Sequence, residues 1–76
     1  MPERSVATDG FVQLWRDALG ADADPTSSFL ANGGDSFRAV VLSIAMLEVG
    51  LDVDYLDVLQ APSLPALLDV AMPVAV

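Results

Sequence analysis

Ser36 ends the stretch Gly33-Gly34-Asp35-Ser36 and heads a run, SFRAVVLSIAML over residues 36–47, that carries hardly any polar side chain. A serine becomes a nucleophile when a base, usually histidine or lysine, lies within hydrogen-bond reach and a third group orients that base. This chain has no histidine, and its three basic residues, Arg4, Arg16 and Arg38, are all arginines. Asp35 is the immediate neighbour, and nothing in the pattern pairs it with a second carboxylate of shifted pKa. The inventory therefore argues against independent catalysis. If Ser36 takes part in chemistry, its base belongs to another protein, and this chain is a substrate or a carrier.

Two readings of the stretch stand side by side. In the first, Ser36 or Asp35 caps a helix and the glycines only turn the chain. Neither residue has Glu or Gln three places on, because Ala39 follows Ser36 at that spacing and Arg38 follows Asp35, so a full capping box is absent. In the second, Gly33 and Gly34 strip side chains from the approach to a helix N-terminus, where backbone N–H groups and the dipole favour a phosphate, and the position holds a phosphoester. The helix behind the serine is as open to interpretation. Ala39, Leu42, Ala45, Met46 and Val49 fall on one side and Phe37, Val40, Val41 and Ile44 on another, with Glu48 at its lower end. Either this helix is central or one apolar stripe stays in water as a docking surface.

The totals bound what can position these residues. Seventy-six residues make one domain, read here as residues 1–76 with a core over about 6–71. With no cysteine and no histidine there is no disulfide framework, and a structural zinc site is not expected. The net charge of −8 repels nucleic acid and anionic membrane and makes basic proteins the fitting partners. An apolar content of 54% argues against disorder, while Ser43 and Glu48 interrupt the longest apolar run well before it could span a bilayer. The opening MPERSVATDG lacks the order of a secretory signal, so the chain is expected in the cytoplasm, free-standing from its own methionine or cut from a multidomain protein. DADPTS from Asp22 begins like a calcium loop, but Ser27 and Gly33 stand where such a loop needs Gly and Glu, so no metal site is assigned.

The expected fold is all-α: a small four-helix bundle, three longer helices and one short, with a long loop between helices 1 and 2. Val6, Phe11, Leu14, Trp15, Ala18 and Leu19 form an apolar stripe that stops at Gly20, and the helix is expected to start between Arg4 and Asp9 because Gly10 is a poor interior residue. Residues 21–35 read as loop, with Phe29 and Leu30 pinning it to the core. The second helix runs from about Ser36 to Val49, with Gly50 left-handed just beyond. Val53, Leu56, Val58 and Leu59 mark a short helix or a single turn that stops at Pro62. Ser63 caps a last helix over 64–71 with Pro65 in its first turn, and MPVAV is a tail.

Together these residues resemble the carrier-protein family, and more closely the peptidyl carrier (thiolation) domains of nonribosomal peptide synthesis than the fatty-acid acyl carriers. Phe29 and Leu30, seven and six places before the serine, resemble the family's Asp-x-Phe-Phe loop, and GGDS follows. Phe37, Ala39, Leu42 and Met46 match the apolar, small, apolar, apolar spacing after the serine, while LWRDALG and APSLPALLDVA resemble the end of the first helix and the opening of the last. The family's Asp is Ser28 here, its usual Leu four before the serine is Asn32, and Phe37 replaces the commoner leucine.

The resemblance implies that a phosphopantetheinyl transferase esterifies Ser36 with 4′-phosphopantetheine from coenzyme A, the site being Ser36 with Asp35, Gly34 and Gly33. A chain without cysteine would then carry thioesters on a thiol brought in from outside. It implies a stripe of Phe37, Arg38, Val40, Val41 and Ile44 facing partners: the transferase, an adenylation enzyme, and condensation, tailoring or thioesterase enzymes. The expected molecule is a monomeric carrier and not an enzyme, with no nucleic-acid or membrane partner. An acyl carrier of polyketide type is the near alternative, and an unmodified helical interaction module is the alternative of another class.

Overall fold

A computed structural model describes residues 2–74, with backbone alone for residues 2–9. Four helices follow in order: α1 over Pro2–Leu19, α2 over Ser36–Glu48, α3 over Tyr55–Leu59 and α4 over Leu64–Val70. The all-α expectation holds, with one addition. Leu51–Asp52 (β1) and Met72–Pro73 (β2) form an antiparallel pair, Leu51 opposite Pro73 and Asp52 opposite Met72, and the Val74 N–H continues it to the Gly50 carbonyl at 2.9 Å. The segment expected as a tail is thus tied back to the turn after α2. A two-residue strand is too short to show any period in sequence.

α1 starts at Pro2, ahead of the expected window between Arg4 and Asp9. Proline is at home in a first helical turn, where its missing N–H has no intrahelical partner to lose. Thr8, Asp9 and Gly10 therefore all lie inside the helix. The side chain of Val6, expected in the apolar stripe, lies outside the described residues. α2 ends at Glu48, with Val49 as its cap and Gly50 at φ 96°, the left-handed turn expected there. Asp54 caps α3 by accepting the Leu56 N–H, and Ser63 caps α4 by accepting the Ala66 N–H at 3.1 Å.

The core gathers Trp15 of α1, Phe29 of the loop, Ala39, Leu42 and Met46 of α2, Val53 and Val58 around α3, and Ala61, Leu64 and Leu67 leading into and along α4. α2 packs against both α1 and α3. It is nevertheless buried on one side only: Ala39, Leu42 and Met46 point inward and Ala45 is half-buried, while Val49, past the helix end, is exposed. In α3, Val58 alone is fully buried, and Leu56 faces out, contrary to its place among the apolar residues expected to hold that turn.

Candidate functional site

The site is built from the loop upward. Phe29 is fully buried and meets Trp15 edge to face, with ring centroids 5.6 Å apart, while its backbone N–H donates to the Ala61 carbonyl at 3.0 Å. Leu30, expected to share this anchoring, is 59% exposed. One aromatic ring thus carries the attachment that the sequence divides between two residues. The second loop anchor is polar: Leu64 N–H donates to the Pro25 carbonyl at 2.8 Å.

From Phe29 the chain turns tightly back on itself. The Ser28 hydroxyl accepts the Ala31 N–H at 3.0 Å and so helps to close the turn. Gly33 N–H donates to Leu30 and Gly34 N–H to Phe29, each at 3.0 Å. The two glycines are required for different reasons. Gly33 sits at φ 83°, which disfavours any side chain, whereas a Cβ on Gly34 would drive into the Phe29 ring. Gly34 lies flat on the buried aromatic, which fixes the path of the chain just ahead of Asp35 and Ser36.

Asp35 is the N-cap of α2, with extended backbone at φ −140° and its carboxylate accepting the Arg38 N–H at 2.8 Å. Its second oxygen pairs with the Arg38 guanidinium at 3.3 Å in an exposed i,i+3 bridge, of a kind that adds little stability. Because aspartate does the capping, the Ser36 hydroxyl is not spent on it. Ser36 is the first helical residue and is exposed. A phosphoester fits there: the hydroxyl is reachable, the preceding glycines present no side chain, and the unpaired N–H groups of the first turn supply positive potential.

Phe37, Val40, Val41 and Ile44 form one continuous stripe down α2, and all four are exposed, Phe37 at 75% and Ile44 at 52%. Arg38 lies beside the stripe, engaged with Asp35. The sequence reading missed Leu47, which prolongs the stripe, and the exposed Tyr55 and Leu56 of α3. Their signal was present as spacing, since Leu47 follows Val40 and Ile44 at helical intervals.

Away from the serine, Asp24 organises the start of the loop. Its carboxylate accepts the Thr26 hydroxyl at 2.7 Å and the Thr26 N–H at 2.9 Å, with the Ser27 hydroxyl at 3.1 Å. The Thr26 hydroxyl first and the Thr26 N–H next hold its carboxyl below the ordinary 3.8; desolvation opposes them, and the Ser27 hydroxyl and Arg16 add the smallest lowering contributions. Among the described residues no group of three His, Cys, Asp or Glu side chains is arranged to hold a metal ion, and no helix is long and apolar enough to cross a membrane.

A helical bundle that presents an uncommitted serine at the head of an exposed apolar helix defines a carrier-type protein, and comparison with known proteins agrees. A family model described as the phosphopantetheine attachment site matches residues 9–71. The chain is 36% identical over 64 residues to nonribosomal peptide synthetase 6 of Cochliobolus heterostrophus (strain C4 / ATCC 48331 / race T) and, to the same degree, to nonribosomal peptide synthetase 6 of Cochliobolus miyabeanus. Each match takes in 82% of this chain and 4% of the relative, so the chain spans a small fraction of the length of these relatives. No solved structure matches. The chain belongs to the phosphopantetheine-attachment family of carrier proteins, whose members bear 4′-phosphopantetheine covalently on a serine and are not themselves catalysts.

Proposed function

We propose that the chain carries aminoacyl, peptidyl or aryl groups as thioesters on a 4′-phosphopantetheine arm esterified to Ser36, within nonribosomal peptide or related secondary-metabolite synthesis. The observation that carries this reading is the division of labour at the head of α2, where Asp35 caps the helix and leaves the Ser36 hydroxyl exposed and unused. The names of the two relatives support the peptide-synthetase side of the family. In the transfer, Ser36 Oγ forms a bond to the pantetheine-bearing phosphorus of coenzyme A as adenosine 3′,5′-bisphosphate leaves, and a base of the transferase takes the hydroxyl proton. The chain contributes the nucleophile and its placement, with Gly33, Gly34 and Asp35 shaping the approach. The domain proposed for this role is residues 1–76, with its core at about 6–71.

The exposed stripe of Phe37, Val40, Val41 and Ile44, with Arg38 at its edge, is the proposed contact for the transferase, for an adenylation enzyme, and for condensation, tailoring or thioesterase enzymes. The cytoplasm, where coenzyme A is made available, is the proposed setting. Intact-mass measurement after incubation with coenzyme A and a promiscuous phosphopantetheinyl transferase tests the assignment. The chain should gain one phosphopantetheine and Ser36→Ala none. Gain by neither would move the chain to an unmodified interaction module, and equal gain by both would place the modification on a residue other than Ser36. If the modified chain is charged by a malonyl transferase and by no adenylation enzyme, the polyketide-type alternative takes its place.

A further inference from the structure

Asn32 stands four residues before Ser36 and looks like an ordinary turn residue, yet its carboxamide makes four bonds across the loop. Its Oδ1 accepts the Asp24 N–H at 2.8 Å, and its Nδ2 donates to the Asp24 carbonyl at 2.9 Å. The same Nδ2 reaches the Ser28 carbonyl at 3.0 Å and, at the long limit of 3.4 Å, that of Ser27. A side-chain amide has the donor and acceptor of a peptide group, and here it pairs with both backbone groups of Asp24 as a neighbouring strand would. Trp15 Nε1 donates to that same Asp24 carbonyl at 3.2 Å, and Arg16 Nε donates to the adjacent Ala23 carbonyl at 3.2 Å. Through Asp24, Asn32 therefore ties α1 to the loop immediately ahead of Gly33. With the Phe29 ring beneath Gly34, this leaves the four-residue approach to the serine held at both ends.

We propose that Asn32 is a positioning residue for phosphopantetheine transfer: it holds the loop in the one arrangement that a transferase binds, without touching the reacting atoms. The proposal rests on Ser36 being the modified serine. Without the carboxamide, loop residues 24–32 sample other conformations, the competent fraction falls, and the apparent affinity of the enzyme for the carrier falls by that fraction. Once bound, the carrier is in the competent arrangement and the chemical step is unaffected. The signature is a raised KM with kcat unchanged.

The experiment is a transferase time course by intact mass, with coenzyme A saturating and the 76-residue chain varied in concentration. Asn32→Ala should raise KM by about tenfold and leave kcat within about twofold, as a competent fraction reduced to about a tenth requires. Asn32→Asp, which keeps the size and the acceptor but turns a second oxygen toward three carbonyls, should raise KM at least as much and provides a second variant should Asn32→Ala not fold. A core variant matched in melting temperature, Leu67→Val, should keep the KM of the unsubstituted chain. In the unsubstituted chain, the Asp24 amide should exchange with deuterium at least about tenfold more slowly than an unbonded loop amide. An unchanged KM in both Asn32 variants, a loss confined to kcat, an equal KM rise in Leu67→Val, or unprotected exchange at Asp24 would each overturn the proposal. Failure of the underlying assignment reads differently: Ser36→Ala would then be modified as fast as the unsubstituted chain, or neither would be modified at all.

Discussion

Gly34 carries a constraint that its backbone angles do not reveal. Its φ is unremarkable, and the position matters because the Phe29 ring and carbonyl lie where a Cβ would be, the carbonyl oxygen at 2.7 Å from it. Either Phe29 must leave its place against Trp15 or the turn must open. Overpacking of this kind costs about 1–3 kcal/mol, so Gly34→Ala should lower the melting temperature by several degrees. The displaced turn should also slow modification at Ser36. Thermal unfolding monitored by near-UV circular dichroism reads both the loss of stability and the disturbance of the Trp15–Phe29 pair, and an unchanged near-UV spectrum would refute the argument. The GGDS stretch was legible as a site only through its order and spacing with the rest of the family pattern, since on its own it reads as a helix cap and a turn. Its two glycines were not distinguishable by residue type, since one answers to a dihedral angle and the other to a ring that approaches from five residues back. Asn32 was less legible still. Asparagine is common in turns, and the two Asp24 backbone groups it pairs with lie eight residues away, beyond any local pattern.

At the scale of elements, what was readable is what local chemistry decides. The caps of α2 and α4, the left-handed Gly50 and the short α3 all follow from residues within one turn of the feature. The start of α1 was placed late because Gly10 weighs against helix, yet the helix runs through it to Pro2. The β1–β2 pair was invisible because it joins Leu51–Asp52 to residues about twenty positions on, and four residues carry no alternation. Gly10 thus sits at ordinary helical φ with open space where a Cβ would go. Alanine there removes unfolded-state freedom with no clash, so Gly10→Ala should stabilise the chain by about 0.5–1 kcal/mol. Urea denaturation should show a higher midpoint at unchanged slope. A lower midpoint would mean that α1 is not helical around Gly10 in solution.

The whole molecule sets an acidic surface against an exposed apolar face on α2. The net charge is −8, but the head of α2 is locally balanced, since Asp35 and Arg38 neutralise each other beside the exposed Phe37. Along α2 the next acidic residue is Glu48 at its end, and Asp54 and Asp57 follow at the cap and in the first turn of α3. Binding through such a face draws on apolar burial in its middle, and charge acts at its rim, where salt screens it. Because Phe37 and Ile44 are already in solvent, truncating them should leave stability within about 0.5 kcal/mol of the parent. An exposed aromatic anchor at an interface commonly contributes 2 kcal/mol or more, so Phe37→Ala should weaken productive docking with the loading enzyme by at least about tenfold. Raising salt from 0.05 to 0.5 M should change it by less than about threefold, given the screening length at those concentrations. Charging of the modified chain, measured as kcat/KM for Phe37→Ala, Ile44→Ala and the parent at both salt concentrations, separates the two contributions. A steep salt dependence with little effect of either truncation would mean that partners grip the acidic rim instead, and that the apolar face of α2 lies outside the interface.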